Sequence, residues 1–81
     1  MQVTVRFFAR LRDIAGAPDL VRDVPAGATV EDLWERLAAD FPAMAPYRGS
    51  VSVAVNAEYG RFTQAVAERD EIAFLPPVSG G

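Results

Sequence analysis

The residues with the clearest chemical potential close the sequence, as Pro76-Pro77-Val78-Ser79-Gly80-Gly81. Glycine has no Cβ, so a Gly80-Gly81 end can pass through a channel too narrow for other residues. The two prolines cannot extend a sheet. They stiffen the base of the segment toward an extended path of ~3.1 Å per residue, which gives the tip a reach of roughly 15–20 Å. The terminal carboxylate is inert until activated. Adenylation by ATP makes it an acyl donor, and attack by sulfur on that mixed anhydride leaves a thiocarboxylate, a sulfur nucleophile built without cysteine. The bland alternative is a frayed terminus, as most termini are. At ~7% glycine, however, a chance Gly-Gly ending arises about once in two hundred chains, and the rigid spacer before it strengthens the functional reading.

The rest of the composition narrows the chemistry further. The 81 residues contain no cysteine, histidine or lysine, which removes thiolate nucleophiles, imidazole bases, Schiff-base lysines and the usual zinc ligands. Catalysis by this chain would have to use carboxylates, hydroxyls, backbone or the terminus, so an independent enzyme is the least favoured class. The missing lysine also means that no side-chain amine can consume an activated end. Eight arginines against eleven acids give a net charge of −3 at pH 7, where nucleic acid or anionic lipid would select a basic excess. No apolar run approaches ~18 residues, and Arg6 interrupts the first hydrophobic stretch. The expected setting is cytoplasmic, with neither a nucleic-acid nor a membrane partner.

The acid pairs Glu31-Asp32 and Asp70-Glu71 fall at a helix start and at a turn, and read as structural; no metal site is expected. Arg6, Arg10 and Arg12 form the only local basic cluster, read as a solvated or partner-facing edge.

These groups need a scaffold, and a chain of this length makes one domain. Val3, Val5 and Phe7 alternate with Thr4, Arg6 and Phe8 in a strand over 2–8. A short helical turn around Leu11, Ile14 and Ala15 closes at Gly16-Ala17-Pro18, and a second strand over 19–24 pairs back antiparallel. Thr29 and Asp32 resemble a capping box. Val30, Leu33, Trp34, Leu37, Ala38 and Phe41 then follow a helical stripe, on which Trp34 reads as core. Pro42 ends that helix and Pro46 keeps the next loop irregular. Val51, Val53 and Val55 mark a third strand, Asn56-Ala57-Glu58 a turn, and 59–62 a short fourth strand. Glu71-Ile72-Ala73-Phe74-Leu75 is apolar on both faces, as an interior strand is. The order suits an α+β domain with one main helix across one sheet face.

Val5-Arg6-Phe7-Phe8-Ala9-Arg10-Leu11-Arg12, Val53-Ala54-Val55-Asn56 and, above all, 70–81 resemble the small, sulfur-carrying subunit of molybdopterin synthase along the whole chain. The Pro-Pro-Val-Ser-Gly-Gly ending is the specific part. The resemblance implies a ubiquitin-like β-grasp fold with a mixed sheet, residues 1–75 forming the domain and 76–81 an extended tail. It further implies that Gly81 is adenylated and thiocarboxylated by a ubiquitin-activating-type adenylyltransferase, which consumes the ATP. A sulfur donor protein would supply the sulfur, and the carrier itself would bind no cofactor tightly. Val78, Ser79 and Gly80 would then thread into the large catalytic subunit, where sulfur passes to cyclic pyranopterin monophosphate to form the dithiolene. The carrier would be a sulfur-donating subunit, not catalytic alone. Relatives usually have glycine where this chain has Arg69, which leaves the shape of that turn open. A carrier for thiamine thiazole or another thio-product, and a ubiquitin-like protein modifier, are the competing readings.

Strand parity sets Phe8 opposite Val5 and Phe7, and Leu75 opposite Ile72 and Phe74. If the first and last strands are neighbours, Phe8, Leu75 and Tyr59 form an exposed apolar patch at the tail root, continued by Pro76 and Pro77. Such a patch marks a partner interface. The competing reading is a second small core beneath 9–15 and 57–63.

Overall fold

The computed structural model describes residues 1–77. The N-terminal alternation becomes β1 (Gln2–Phe7), which buries Val3, Val5 and Phe7 on one face. It ends one residue before the sequence pattern does, because Phe8 already serves as the N-cap of α1 (Ala9–Ala15). Gly16 closes α1 at φ 75°, and its N–H reaches Arg12 O at 2.9 Å. Glycine tolerates that left-handed angle without steric cost. β2 (Asp19–Asp23) then runs back along β1 in antiparallel register.

The main helix, α2 (Val30–Asp40), begins where the capping pattern places it. The Asp32 N–H donates to Thr29 Oγ1 at 3.2 Å, and the Thr29 N–H donates to Asp32 Oδ2 at 2.9 Å. Two otherwise unsatisfied donors of the first turn are thereby paired. Val30, Leu33, Trp34 and Leu37 are buried against the sheet, each worth roughly 1.5–3 kcal/mol of apolar transfer. Phe41 is the C-cap, so Pro42 does follow the end of the helix.

The segment expected to be an irregular loop is instead a 3-10 helix over Pro42–Tyr47, with Pro46 inside it. Met44 N–H to Phe41 O and Arg48 N–H to Ala45 O, at 2.9 and 3.2 Å, carry the turns without a donor from Pro46. Fully buried Met44 pins the segment to the core.

β3 (Ser52–Val55), β4 (Glu58–Tyr59) and β5 (Glu71–Leu75) complete a sheet of order β2-β1-β5-β3-β4. β4 is shorter than the expected 59–62 strand. Asn56 and Ala57 make the tight β3–β4 turn with φ of 51° and 69°, as two-residue hairpins require. β5 lies in the middle, parallel to β1 and antiparallel to β3, so its apolar residues on both faces have a physical reason. Ile72 and Phe74 are fully buried toward α2. Trp34 packs edge-on against Phe74 with centroids 5.0 Å apart, and Phe62 lies 6.2 Å from Phe74.

The turn before β5 takes the left-handed shape that glycine would have made easy. Arg69 has φ 67°, and its N–H is held by Gln2 O at 2.7 Å. A residue with a Cβ is strained there by about 1 kcal/mol. Arg69→Gly is therefore expected to raise unfolding stability by up to about 1 kcal/mol in urea titration with an unchanged m-value. A loss of stability would show that the Arg69 side chain contributes more than its backbone costs.

Candidate functional site

The tail is rooted in the most constrained strand of the sheet. β5 is hydrogen-bonded along both edges: its pairing with β1 runs to Phe7–Phe74, and that with β3 to Ser52–Leu75. Pro76 and Pro77 follow at once. Neither can donate an N–H to a neighbouring strand, so the ladder stops there by chemistry. Val78, Ser79, Gly80 and Gly81 lie outside the described residues.

Around that exit, the structure brings together most of the residues proposed from strand parity. Phe8, Arg10, Tyr47, Leu75, Pro76 and Pro77 line one hollow of about 700 Å³. Phe8 is 39% exposed. Tyr59 does not reach this hollow. It is 92% exposed and stands on the far side of Leu75, lining a shallower depression with Ala54 and Ala57. Leu75 is the wall common to both. Exposure of Phe8 and Tyr59 disposes of a second core beneath 9–15 and 57–63: α1 sends Leu11 into the main core instead.

Between the two hollows the open sheet face carries Ala73 paired with Ala54, and Ala54 paired with Tyr59. Small side chains there leave a flat floor. Arg6 rims it, its guanidinium 3.6 Å from the Glu71 carboxylate and 5.8 Å from the Phe8 ring centroid. The surface at the tail root is thus apolar in the middle and charged at the edge, the anatomy of a protein-binding patch.

The acidic pairs have structural partners. Asp32 belongs to the capping box. Asp70 accepts from Ala67 N–H at 2.8 Å and from Asn56 Nδ2 at 2.9 Å, while the Glu71 N–H donates to Asn56 Oδ1 at 2.9 Å. This ties the β3–β4 turn to the start of β5. Among the described residues no three His, Cys, Asp or Glu side chains gather in a cluster that could hold a metal ion, and no helix is long and apolar enough to cross a membrane.

Sequence reasoning missed the Glu31–Arg48–Phe62 stack. Arg48 Nε donates to Glu31 Oε2 at 2.9 Å, and its guanidinium lies 3.6 Å from the Phe62 centroid. Glu31 and Val30 N–H groups donate to Phe62 O and Gln64 O, both at 2.9 Å. The 60–66 loop is thereby fastened to the start of α2, holding Phe62 near Phe74 in the strand that carries the tail. Glu31 and Arg48 are seventeen residues apart in sequence, and no periodicity links them.

The five-stranded mixed sheet with one helix laid across it is a ubiquitin-like β-grasp fold, and its central strand ends in a diproline exit. The chain belongs to the ThiS family, which it matches over residues 5–81. It is 38% identical over 81 residues to the molybdopterin synthase sulfur carrier subunit of Arabidopsis thaliana, covering all of this chain and 84% of that one. It is 39% identical over 83 residues to the subunit of the same name from Escherichia coli K12, covering 98% and 99%. The crystal structure of SAMP1 from Haloferax volcanii superposes with a TM-score of 0.89 at 31% identity, covering both chains completely.

The Arg48 hydrogen bond holds the Glu31 carboxyl below its ordinary value of 4.5. A depressed folded-state value stabilises fully above the unfolded value and is lost as pH falls through the lower folded one. Both side chains are more than a third exposed, so screening keeps the pair weak. Arg48→Gln is expected to cost about 1 kcal/mol at neutral pH by urea unfolding. The difference should shrink, as pH falls below 4.5 and through the lower folded-state value, to the part due to stacking on Phe62. A difference independent of pH would remove the ion pair from the account.

Proposed function

We propose that this protein is the sulfur carrier subunit of a molybdopterin synthase. The observation that carries the reading is a Gly-Gly ending in sequence after Pro76-Pro77, which stand at the end of the central strand beside an apolar patch, in a chain similar along its length to subunits of that name.

The chemistry belongs to Gly81. Its carboxylate attacks the α-phosphorus of ATP in the active site of a ubiquitin-activating-type adenylyltransferase, giving an acyl-adenylate and pyrophosphate. Hydrosulfide released by a donor protein attacks the acyl carbon, the acyl–phosphate bond breaks as AMP leaves, and loss of the S–H proton gives a thiocarboxylate with no change of oxidation state. In the large synthase subunit that sulfur becomes bonded to carbon of cyclic pyranopterin monophosphate. The acyl carbon takes an oxygen back from water, and the carboxylate returns for another cycle. Val78, Ser79 and Gly80 carry the reactive end into each partner. Phe8, Tyr59, Leu75, Pro76 and Pro77 supply the docking surface, which both partners must approach because both act on the same tail. ATP is consumed by the activating partner.

A second reading, a ubiquitin-like protein modifier, is supported by the likeness to SAMP1. The two readings differ in the nucleophile that meets the activated glycine: sulfur in one, a target lysine in the other.

Deleting Gly81 is expected to abolish the sulfur-for-oxygen mass gain on incubation with the activating enzyme, ATP and a sulfur donor, with the circular dichroism spectrum unchanged. A mass gain that persisted would sink the carrier mechanism, and an isopeptide-linked ladder in cells without thiocarboxylated free protein would install the modifier reading.

Phe8→Asp and Leu75→Asp should each weaken binding to the large subunit and to the activating enzyme by about tenfold or more, read by calorimetry. Given thiocarboxylated protein, a molybdopterin synthase large subunit should form molybdopterin while a thiazole synthase of the same organism turns over poorly. The opposite preference would assign the protein to the thiazole pathway.

A further inference from the structure

Among the described residues the sheet has one long free edge, and β1 separates it from β5. β4, at one side, holds two residues; β2, at the other, holds five and among the described residues pairs only with β1. The hydrogen-bond phase of the β1–β2 pair fixes which β2 amides face outward. Met1 and Val24 exchange both bonds at 2.9 Å, and the Phe7 N–H donates to Pro18 O at 2.9 Å. With the observed register, Leu20 and Arg22 also turn toward β1. The alternation of an antiparallel ladder therefore directs the N–H and C=O groups of Asp19, Val21 and Asp23 away from the sheet.

Side chains along this edge are sorted by face. Asp19, Val21 and Asp23 project on the open side, with Val21 61% exposed. Arg22 projects on the helix side into a groove of about 480 Å³ between β2 and α2, which Arg36 and Asp40 also line. Its Nη2 reaches Asp40 Oδ2 at 3.2 Å, but its Nε is buried with no hydrogen-bond partner among the described residues.

We propose that the β2 edge is a second docking site, and that it takes an extended protein segment with a basic–apolar–basic alternation on one face and an acidic side chain on the other. The segment adds a strand to β2. Its backbone pairs with the outward amides of Asp19, Val21 and Asp23, its basic residues lie across from Asp19 and Asp23, and its carboxylate meets the partly exposed Arg22 guanidinium. Backbone pairing gives affinity and alternate side chains give selectivity. A second copy of this chain does not fit. Antiparallel pairing of two β2 edges about Val21 would set Asp19 directly against Asp23 of the other copy, and like charges opposite each other repel. β1 separates this edge from β5, so the site can be occupied while the tail is engaged elsewhere.

The probe is the capped heptapeptide Thr-Arg-Glu-Val-Ile-Arg-Thr, titrated into the isotope-labelled full chain and followed by amide resonances. Saturable shifts are expected at Asp19, Val21 and Asp23 and at the Arg22 Nε–H, with Phe8, Tyr59 and Leu75 unmoved. N-methylation of the peptide's central valine should weaken binding by about tenfold or more, because it removes a ladder donor and blocks close approach. Asp19→Lys with Asp23→Lys should weaken it similarly, and Asp19→Asn with Asp23→Asn serves if the lysine variant folds poorly. Equal binding of the N-methylated peptide would overturn the proposal, as would shifts at Leu75 and Phe8, the absence of saturation, or self-association through β2.

Discussion

The structure depends on the position of β5 between β1 and β3. A strand bonded along both edges and buried through Ile72 and Phe74 has little freedom to tilt or slide, because a slip by one residue would move both side chains out of the core. The direction in which the chain leaves the sheet is set by that constraint. Trp34 and Phe62 press on Phe74 from the helix side, and the Asn56–Asp70 contact fixes the point where β5 begins. Pro76 and Pro77 then turn a fixed strand end into a fixed exit.

Several charged groups in this protein are committed to that positioning. Asp32 caps α2, Glu31 holds Arg48 across Phe62, Asp70 closes the turn before β5, and Glu71 meets Arg6 on the open face. The side chains best able to do acid–base chemistry are thus spent on shape. This division fits the proposed function, in which the reactive group is a main-chain carboxylate activated by others.

Local, periodic features were legible in the sequence. The α2 stripe from Val30 to Leu37, the Thr29–Asp32 cap and the alternation of β1, β3 and β5 each follow from spacings within one element, and the Gly-Gly ending is a linear pattern. What escaped was non-local or conformationally unusual. Arg48 finds Glu31 only after the chain has folded around Met44, and the 3-10 helix survives Pro46 because its turns need no donor at that position. Nothing in the residue type of Arg69 announces a left-handed backbone; the Gln2 carbonyl imposes it. Parity placed Phe8 and Leu75 in one patch that Tyr59 was expected to extend, but two hollows sharing Leu75 appear only once the strand order is known.

The central strand is also the last strand in chain order, and this bears on how the protein is made. Until β5 is available, β1–β2 and β3–β4 are two separate hairpins with no shared ladder, and hairpins alone are marginal in water. The parallel β1–β5 pairing joins residues nearly seventy positions apart, which makes it a late and slow contact to close. During synthesis the sheet must remain open until β5 has cleared the ribosome. A chain lacking β5 would keep only those two marginal hairpins, so the sheet closes only in chains that have reached its central strand.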